Sequence, residues 1–480
     1  MITPVPTGET YLALDQGGHG SRALVFDSRA TIVAQGYVDI GTRYPHDGWV
    51  EQNPEEVVDS LTGSIAQVAE QLGDRCRNIK AAGLATQRSS IVCWNRNTGG
   101  ALSPVISWQD RRAHASVAQY VDRSSEIHER TGLFLNAHYG ATKLRWCLDH
   151  LPAVREACEK NELAWGPLAS FLIYRLLHER PHLIDPSNAS RTLLWNLKNN
   201  DWDPELLALF GLPDRPLPRI VPTRHDYGHI SLATFRIPLT IVAGDQPAAL
   251  FSLGYPQPSA VYINVGTGAF VQRTSGRLPQ YQKKLLTSMV MQDSKDIVYA
   301  LEGTVNGAAA ALDWMADELH VTDVNAQLPV WLQQSVDPPL FLNGVGGLGT
   351  PFWIPDFVSR FIGDGDDRDK LVAVIESIIF LLMVNLEAMR NLASPPETIH
   401  IGGGLTALDG LCQRLADLAK LPVYRPADRE ATARGTAYLL AGCPTHWPEN
   451  RHGAWFNPLQ NPGIDWRYRR WHDAMRDAVS

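Results

Sequence analysis

At 480 residues, 44% hydrophobic and 20% charged, the chain is long enough for two hydrophobic cores and has the balance of a globular protein. A net charge of −8 argues against nucleic acid or an anionic membrane as the main partner and leaves room for a small anion bound at a local positive site. The six cysteines (Cys76, Cys93, Cys147, Cys158, Cys412, Cys443) form no CxxC pair and no Cys/His cluster at zinc spacing, so they read as buried thiols of a reducing cytosol.

The opening MITPVPTGETYLALDQ lacks a basic start followed by an apolar core, and the apolar string IESIIFLLMV (375–384) is shorter than a membrane span. The expectation is a cytoplasmic protein with a buried helix at that string. Strand-like runs at 10–14, 23–27 and 31–38 predict an antiparallel opening ribbon. Residues 53–72 carry apolar side chains at helical spacing, with Asn53 as N-cap, Pro54 in the first turn and Glu55 and Glu56 at the positive helix end. Strands follow at 79–85 and 90–94, and strands and helices alternate thereafter, which makes the class α/β. The proline-rich 211–223 predicts irregular chain. A buried strand then runs from Ile237 into Gly244-Asp245-Gln246-Pro247, where proline suits a helix start.

About 250 residues after the first ribbon, AVYINVGTGAFVQRT (260–274) again reads as strand, glycine turn, strand. A further strand ends in Gly402-Gly403-Gly404 before a helix bearing Leu408, Leu411, Cys412, Leu415 and Leu418, and its first-half counterpart is IKAAGLATQ (79–87). Two halves of this kind predict a duplicated fold with a cleft between them.

The glycine turns at 15–22 and 264–270 admit two readings: ordinary hairpins, or paired anion cradles made of exposed backbone N–H groups. No GxxxxGK[ST] is present, and GVGGLG (344–349) is followed by Thr350-Pro351-Phe352-Trp353 rather than by a helical pattern, so it reads as a loop. Asp245, at the end of an apolar strand, is placed either to serve as a general base for phosphoryl transfer or to cap the next helix. Trp108 beside Gln109, Asp110, Arg111 and Arg112 suits either a polyol site or a buried ring with a charged turn.

ALDQG…SRALVFD, GWVEQNPEEV, ISWQDRR, TKLRWCLDH, DPSNASRTLLWNL, IVAGDQPAALF, NVGTGAF, YALEGTV, GGLGTPFW and IGGGLTAL occur in this order between about residues 10 and 443. In these stretches the chain resembles the FGGY carbohydrate kinases, and among them is most similar to the glycerol kinases. The resemblance implies two duplicated α/β domains of actin/Hsp70-like, ribonuclease H-like type with a cleft between them. Residues 1–247 would form the substrate and phosphate side and 248–480 the nucleotide side. It further implies ATP and Mg²⁺ as cofactors and a small polyol or sugar as partner, with a homo-oligomer left open. Asp245 would be the general base. Arg88, Ser89, Trp108, His138, Asp245, Gln246 and Phe270 would contact substrate. Gly17, Gly18, His19, Gly20, Ser21, Arg22, Gly266, Thr267, Gly268, Gly403, Gly404 and Asp409 would contact ATP. Asp15, with Asp245, would hold Mg²⁺ through water.

The chain also departs from that pattern. Gly18-His19-Gly20 stands where glycerol kinases carry two threonines and a serine, which implies altered phosphate handling. Ser89 and His138 replace a glutamate and a tyrosine, and the smaller Ser89 leaves room for a longer polyol or a ketose. Asp409 stands where an asparagine is frequent. The leading expectation is ATP-dependent phosphorylation of glycerol or a related polyol or ketose. The alternatives are a degenerate kinase acting as a nucleotide or sugar sensor, or a kinase for a ketopentose such as ribulose or xylulose.

Overall fold

Strand β1 (Thr10–Gln16) is buried along its whole length, as an apolar run in the middle of a covered sheet must be. It pairs antiparallel with β2 (Gly20–Asp27), which pairs with β3 (Ile32–Asp39). The description rests on a computed structural model and covers residues 8–335, 337–390, 392, 394–428, 430–448 and 453–479. Helix α1 (Pro54–Leu72) starts as its sequence dictates: the Asn53 side chain accepts the Glu55 N–H, a cap worth about 1 kcal/mol. Val57, Leu61, Ile65 and Val68 are buried beneath it, each contributing roughly 1.5–3 kcal/mol. The chain then returns through β4 (Ile79–Thr86), parallel to β1. After a long insertion it completes the sheet with β5 (Arg224–Leu232) and β6 (Phe235–Gly244). The order is β5-β6-β4-β1-β2-β3, with β6 parallel to β4. A short helix, α2 (Asp245–Ala249), follows β6 directly.

The second sheet repeats the plan. β7 (Ala260–Val265), β8 (Ala269–Gly276), the edge strand β9 (Leu286–Gln292) and β10 (Ile297–Val305) form an antiparallel ribbon. Helix α3 (Asp367–Ala388) leads to β11 (Thr398–Gly402), parallel to β7 as β4 is to β1. Helix α4 (Asp409–Ala419), β12 (Val423–Arg425), helix α5 (Ala431–Leu440) and β13 (Ala454–Phe456) follow. The order is β9-β10-β8-β7-β11-β12-β13. The expected pairing of 10–27 with 260–274, and of 79–87 with the strand before Gly402, is therefore present in the topology.

Helix α3 extends well beyond the apolar string read from the sequence. It is long and apolar enough to cross a membrane by length and composition, with mean hydropathy 2.1, yet 89% of that apolar window is buried inside the protein. Helix α5 belongs by sequence to the second half but packs on β1, β4 and α2 of the first. A small four-stranded sheet (Glu51–Gln52, Ile91–Asn95, Val105–Ile106, Leu163–Pro167) adjoins the first sheet.

Candidate active site

Three parallel strands end at one level: Gln16 of β1 is in register with Thr86 of β4, and Thr86 with Gly244 of β6. The residues that follow them (Gly17, Gln87-Arg88 and Asp245) therefore meet at the carboxyl edge of the sheet, where α/β folds bind ligands. Asp245 is fixed from several sides. The Gly244 N–H donates to Ser187 Oγ at 2.8 Å, and Ser187 stands in the short helix Pro186–Ala189 capped by Asp185. Thr432 of α5 donates to the Asp245 carbonyl at 3.4 Å. Gly435 permits that approach, since a Cβ there would lie 1.8 Å from the Ala248 carbonyl oxygen. Burial raises the Asp245 carboxyl above its ordinary value, and the Arg88 guanidinium opposes this.

Asp245 lines the smaller of two chambers, and its chain neighbour Gln246 lines both. The smaller, about 210 Å³, is lined by every acceptor residue expected from the sequence: Arg88, Ser89, Trp108, His138, Asp245, Gln246 and Phe270. Thr42, Tyr44, Gln52, Gln87, Ser107, Gln109 and Arg191 complete it, together with Gly18 and His19 of the first glycine turn. Arg88 Nη1 and Ser89 Oγ are buried and have no protein partner among the described residues. Unpaired buried polar atoms are costly, and two of them on one chamber wall mark it as made for a polar ligand. Ser89 adopts a left-handed backbone at φ 65°.

The walls are braced from behind. Buried Lys143 donates to the carbonyls of Ser89 (3.1 Å), Ser107 (2.7 Å) and His138 (2.8 Å), tying three lining segments to one ammonium. Burial brings its pKa down to about 7. His138 meets Trp108 edge-on with ring centres 5.7 Å apart. Burial first, then the surrounding cations Lys143, Arg191, Arg111 and Arg88, push its imidazole pKa far down, so the ring is neutral. Asp110 and Arg112 of ISWQDRR do not line the chamber. Asp110 accepts the Val50 N–H at 2.6 Å, while Arg112 stacks over Trp49 at 4.0 Å and pairs with Glu51 at 2.7 Å.

Glu302 of β10 reaches this chamber's wall from the second sheet. It lies 3.5 Å from Arg88 Nη2, accepts from Arg191 Nη2 with its other oxygen, and accepts from Gln272 at 2.9 Å. Burial would raise its pKa, but Arg191 and Arg88 outweigh burial and hold it at about 2. Removing one partner from such a buried ion set costs roughly 3–5 kcal/mol.

The larger chamber, about 580 Å³, is lined by Asp15, Arg22, Asn264, Phe270, Gly402, Gly403, Gly404, Thr406, Arg425, Asp428, Glu430 and Thr432, among others. Burial, then the nearby Asp245 carboxylate, push the Asp15 carboxyl up to about 7. Arg22, opposite Asp15 in the ladder, lies 3.9 Å from it and 3.6 Å from Glu430. Gly18 and His19 of the Gly17-Gly18-His19 turn line the smaller chamber, while Asp15 of the same ribbon lines the larger. Gln16 donates to the Gly17 carbonyl at 2.6 Å and Gln52 to the Gly18 carbonyl at 2.7 Å, while Gln87 donates to Gln52 at 3.0 Å. Both carbonyls are drawn back into this buried amide cluster, an arrangement that can serve as a backbone cradle for an anion. The N–H groups of Gly18 and His19 have no backbone partner among the described residues.

Some expected nucleotide contacts stand elsewhere. Ser21 is fully buried and its hydroxyl pairs with Ser60 Oγ of α1 at 2.7 Å, because alternation along β2 turns it away from the face shared by Asp15 and Arg22. Gly20 lies against the exposed Tyr37 ring, where a Cβ would lie 2.5 Å from it. Gly266, Thr267 and Gly268 form the matching turn of the second sheet but line neither chamber. The carbonyls of Gly266 and Thr267 instead accept N–H groups of Ala308, Ala309 and Ala310 at the start of the helix Ala309–Glu318. Asp409 also lies outside the lining and pairs with Arg425 at 2.8 Å, which does line the nucleotide-side chamber. Gly403, at φ 99°, fits where a Cβ would lie 2.4 Å from the Val265 carbonyl oxygen, so β11 turns sharply at the end of β7.

The sequence reading gave no role to Glu302, Arg191, Gln16, Gln52, Gln87, Lys143 or Glu430. Five of them lay within the quoted stretches: Glu302 in YALEGTV, Arg191 in DPSNASRTLLWNL, Lys143 in TKLRWCLDH, Gln16 in ALDQG and Gln52 in GWVEQNPEEV.

Comparison with known proteins agrees with this geometry. Residues 10–252 match the N-terminal domain of the FGGY family of carbohydrate kinases and residues 261–442 its C-terminal domain. The chain is 36% identical to the glycerol kinase of Acidovorax sp. (strain JS42) over 448 residues, 90% of each chain. It is 35% identical to that of Thermococcus gammatolerans over 486 residues, covering 98% of this chain and 97% of the other. Its fold superposes on Plasmodium falciparum glycerol kinase with ADP at TM-score 0.88 and 21% identity, covering 99% and 100% of the two chains. For the xylulose kinase of Rhodospirillum rubrum the values are 0.86 and 20%, covering 98% and 99%. The chain belongs to the FGGY family of carbohydrate kinases, phosphotransferases that take an alcohol group as acceptor.

Proposed function

We propose that this protein transfers the γ-phosphoryl group of ATP to a hydroxyl of a small polyol or ketose, glycerol or a close relative, with Asp245 as the general base. The observation that carries this reading is the position of Asp245 on the wall of an acceptor-sized chamber, next in the chain to Gln246, which lines both that chamber and a nucleotide-sized one. A raised carboxyl pKa makes Asp245 a better proton acceptor for an alcohol than an exposed aspartate. In-line transfer needs the hydroxyl and the terminal phosphoryl group held together in a dry site, so positioning does most of the work.

Residues 1–247 then supply acceptor site, base and phosphate turn, and 248–480 the nucleotide side, with α5 and Glu302 reaching across. The Gly18-His19 backbone, rather than hydroxyl side chains, would hold the phosphates, and Gly403 and Gly404 would border the nucleoside. Asp15 and Asp245 would hold Mg²⁺ through water. No group of three metal-ligating side chains exists among the described residues, which fits an ion that keeps waters and phosphate oxygens as ligands. When bound, Mg²⁺ neutralises charge on the transferring phosphates. ATP as substrate, together with cysteines that are all free, supports a cytoplasmic protein.

A second reading of the acceptor has its own support. Arg88 Nη1 and Ser89 Oγ both offer hydrogens to one wall, and a keto oxygen accepts two donors without needing an acceptor in return, which favours a ketose over glycerol. A coupled ADP-release assay with Mg-ATP against glycerol, erythritol, pentitols, dihydroxyacetone, erythrulose, ribulose and xylulose tests both. Acceptor-dependent ADP release from at least one of them is expected; nucleotide binding without turnover on any would favour a sensor.

A further inference from the structure

We propose that Glu302 is a positioning residue for acceptor binding: from the nucleotide-side sheet it sets the direction of the Arg88 guanidinium on the acceptor side. The inference rests on the phosphotransferase reading above.

Glu302 lies in the middle of β10, between Gln272 of β8 and Leu286 of β9, with no exposed surface. One carboxylate oxygen takes the Arg191 Nη2 hydrogen; the other receives Arg88 Nη2, Gln272 and Ser288. Arg88 and Arg191 repel each other, so both cations share this wall only because one carboxylate lies between them. A guanidinium is a rigid planar fork, and fixing one arm fixes the others. With Nη2 claimed by Glu302 and by Gln246 Oε1, and Nε lying 3.9 Å from Asp245 Oδ1, the remaining arm is Nη1, the atom left without a protein partner. Glu302 is not itself a lining residue of either chamber; its effect on an acceptor passes through Arg88 and Arg191, which line the smaller one. Buried ion sets contribute little net stability compared with apolar packing, whereas they do fix orientation.

The test is Glu302→Gln in the full-length protein, which keeps shape and hydrogen-bonding capacity but removes the charge between the arginines. Wild-type acceptor-dependent ADP release is the reference; its absence would count against the phosphotransferase reading rather than against Glu302. With an active wild type, the expected result is an acceptor KM raised about tenfold or more while the KM for Mg-ATP and acceptor-independent ATP hydrolysis stay within about twofold. Acceptor binding measured by calorimetry should weaken in parallel. Unchanged acceptor KM and binding would overturn the proposal, as would equal rises in both KM values. Should Glu302→Gln not fold, Glu302→Asp decides: it keeps the charge but draws the carboxylate back from Arg88, so acceptor KM must rise with Mg-ATP KM unchanged, and an unaltered acceptor KM overturns the proposal.

Discussion

The Arg88 side chain lies across the backbone of Gly244, so closely that a Cβ on Gly244 would stand 2.5 Å from Arg88 Cδ. The glycine before the proposed base is thus the space that lets the acceptor-side arginine approach the base. Gly244→Ala should displace Arg88 and lower kcat/KM for the acceptor by roughly 10²-fold, with Mg-ATP binding by calorimetry unchanged.

Lys143 ties the acceptor chamber from behind. Lys143→Met keeps the length of the stem but leaves the carbonyls of Ser89, Ser107 and His138 without their shared donor. Each buried acceptor left unpaired costs roughly 1–3 kcal/mol, so the variant should unfold at lower temperature and bind acceptor weakly. A melting curve that matches wild type would contradict that role.

Asp15 predicts a pH-dependent conflict between stability and function. Its carboxyl rises from 3.8 in the unfolded chain to about 7 in the folded protein. Because the folded value is the higher one, the associated stability is fully present below about pH 4 and lost as pH rises through about 7. Asp15→Asn cannot ionise, so without Mg²⁺ it should be more stable than wild type at pH 8, by on the order of 4 kcal/mol at most. The difference should vanish below about pH 4, and turnover should be lost at every pH. Denaturant unfolding of both proteins at pH 4 and pH 8 checks the sign.

The amide cluster behind the first glycine turn predicts an effect on nucleotide. Gln52→Ala frees the Gly18 carbonyl and removes the Gln87 partner, so the turn loses its fixed direction. The KM for Mg-ATP should rise about tenfold. Were it unchanged, the turn would be held by β1 and β2 alone.

Much of this site was legible because it is built at strand ends. An apolar run stopping at Asp15, another stopping at Gly244-Asp245, and the Trp108 segment each mark a place locally but leave two readings open; the acceptor set came from the family resemblance, and all of it lines one chamber. Ser21 could have been read correctly from alternation alone, since in β2 it faces opposite to Arg22. Gly20 looked like part of a phosphate cradle because a glycine beside a tyrosine ring and one beside a ligand are the same letter. Glu302 and Arg191 were beyond reach for another reason: their meaning lies in contacts with Arg88 across 214 residues and with each other across 111, and no local spacing encodes such pairs.

The most direct test of the central claim is Asp245→Asn, assayed by phosphorus NMR for phosphorylated acceptor formed from Mg-ATP. The account predicts that acceptor and Mg-ATP still bind while product formation falls by roughly 10²–10⁴-fold, the range that general-base assistance of this kind supplies. Phosphorylated product at the wild-type rate would contradict it.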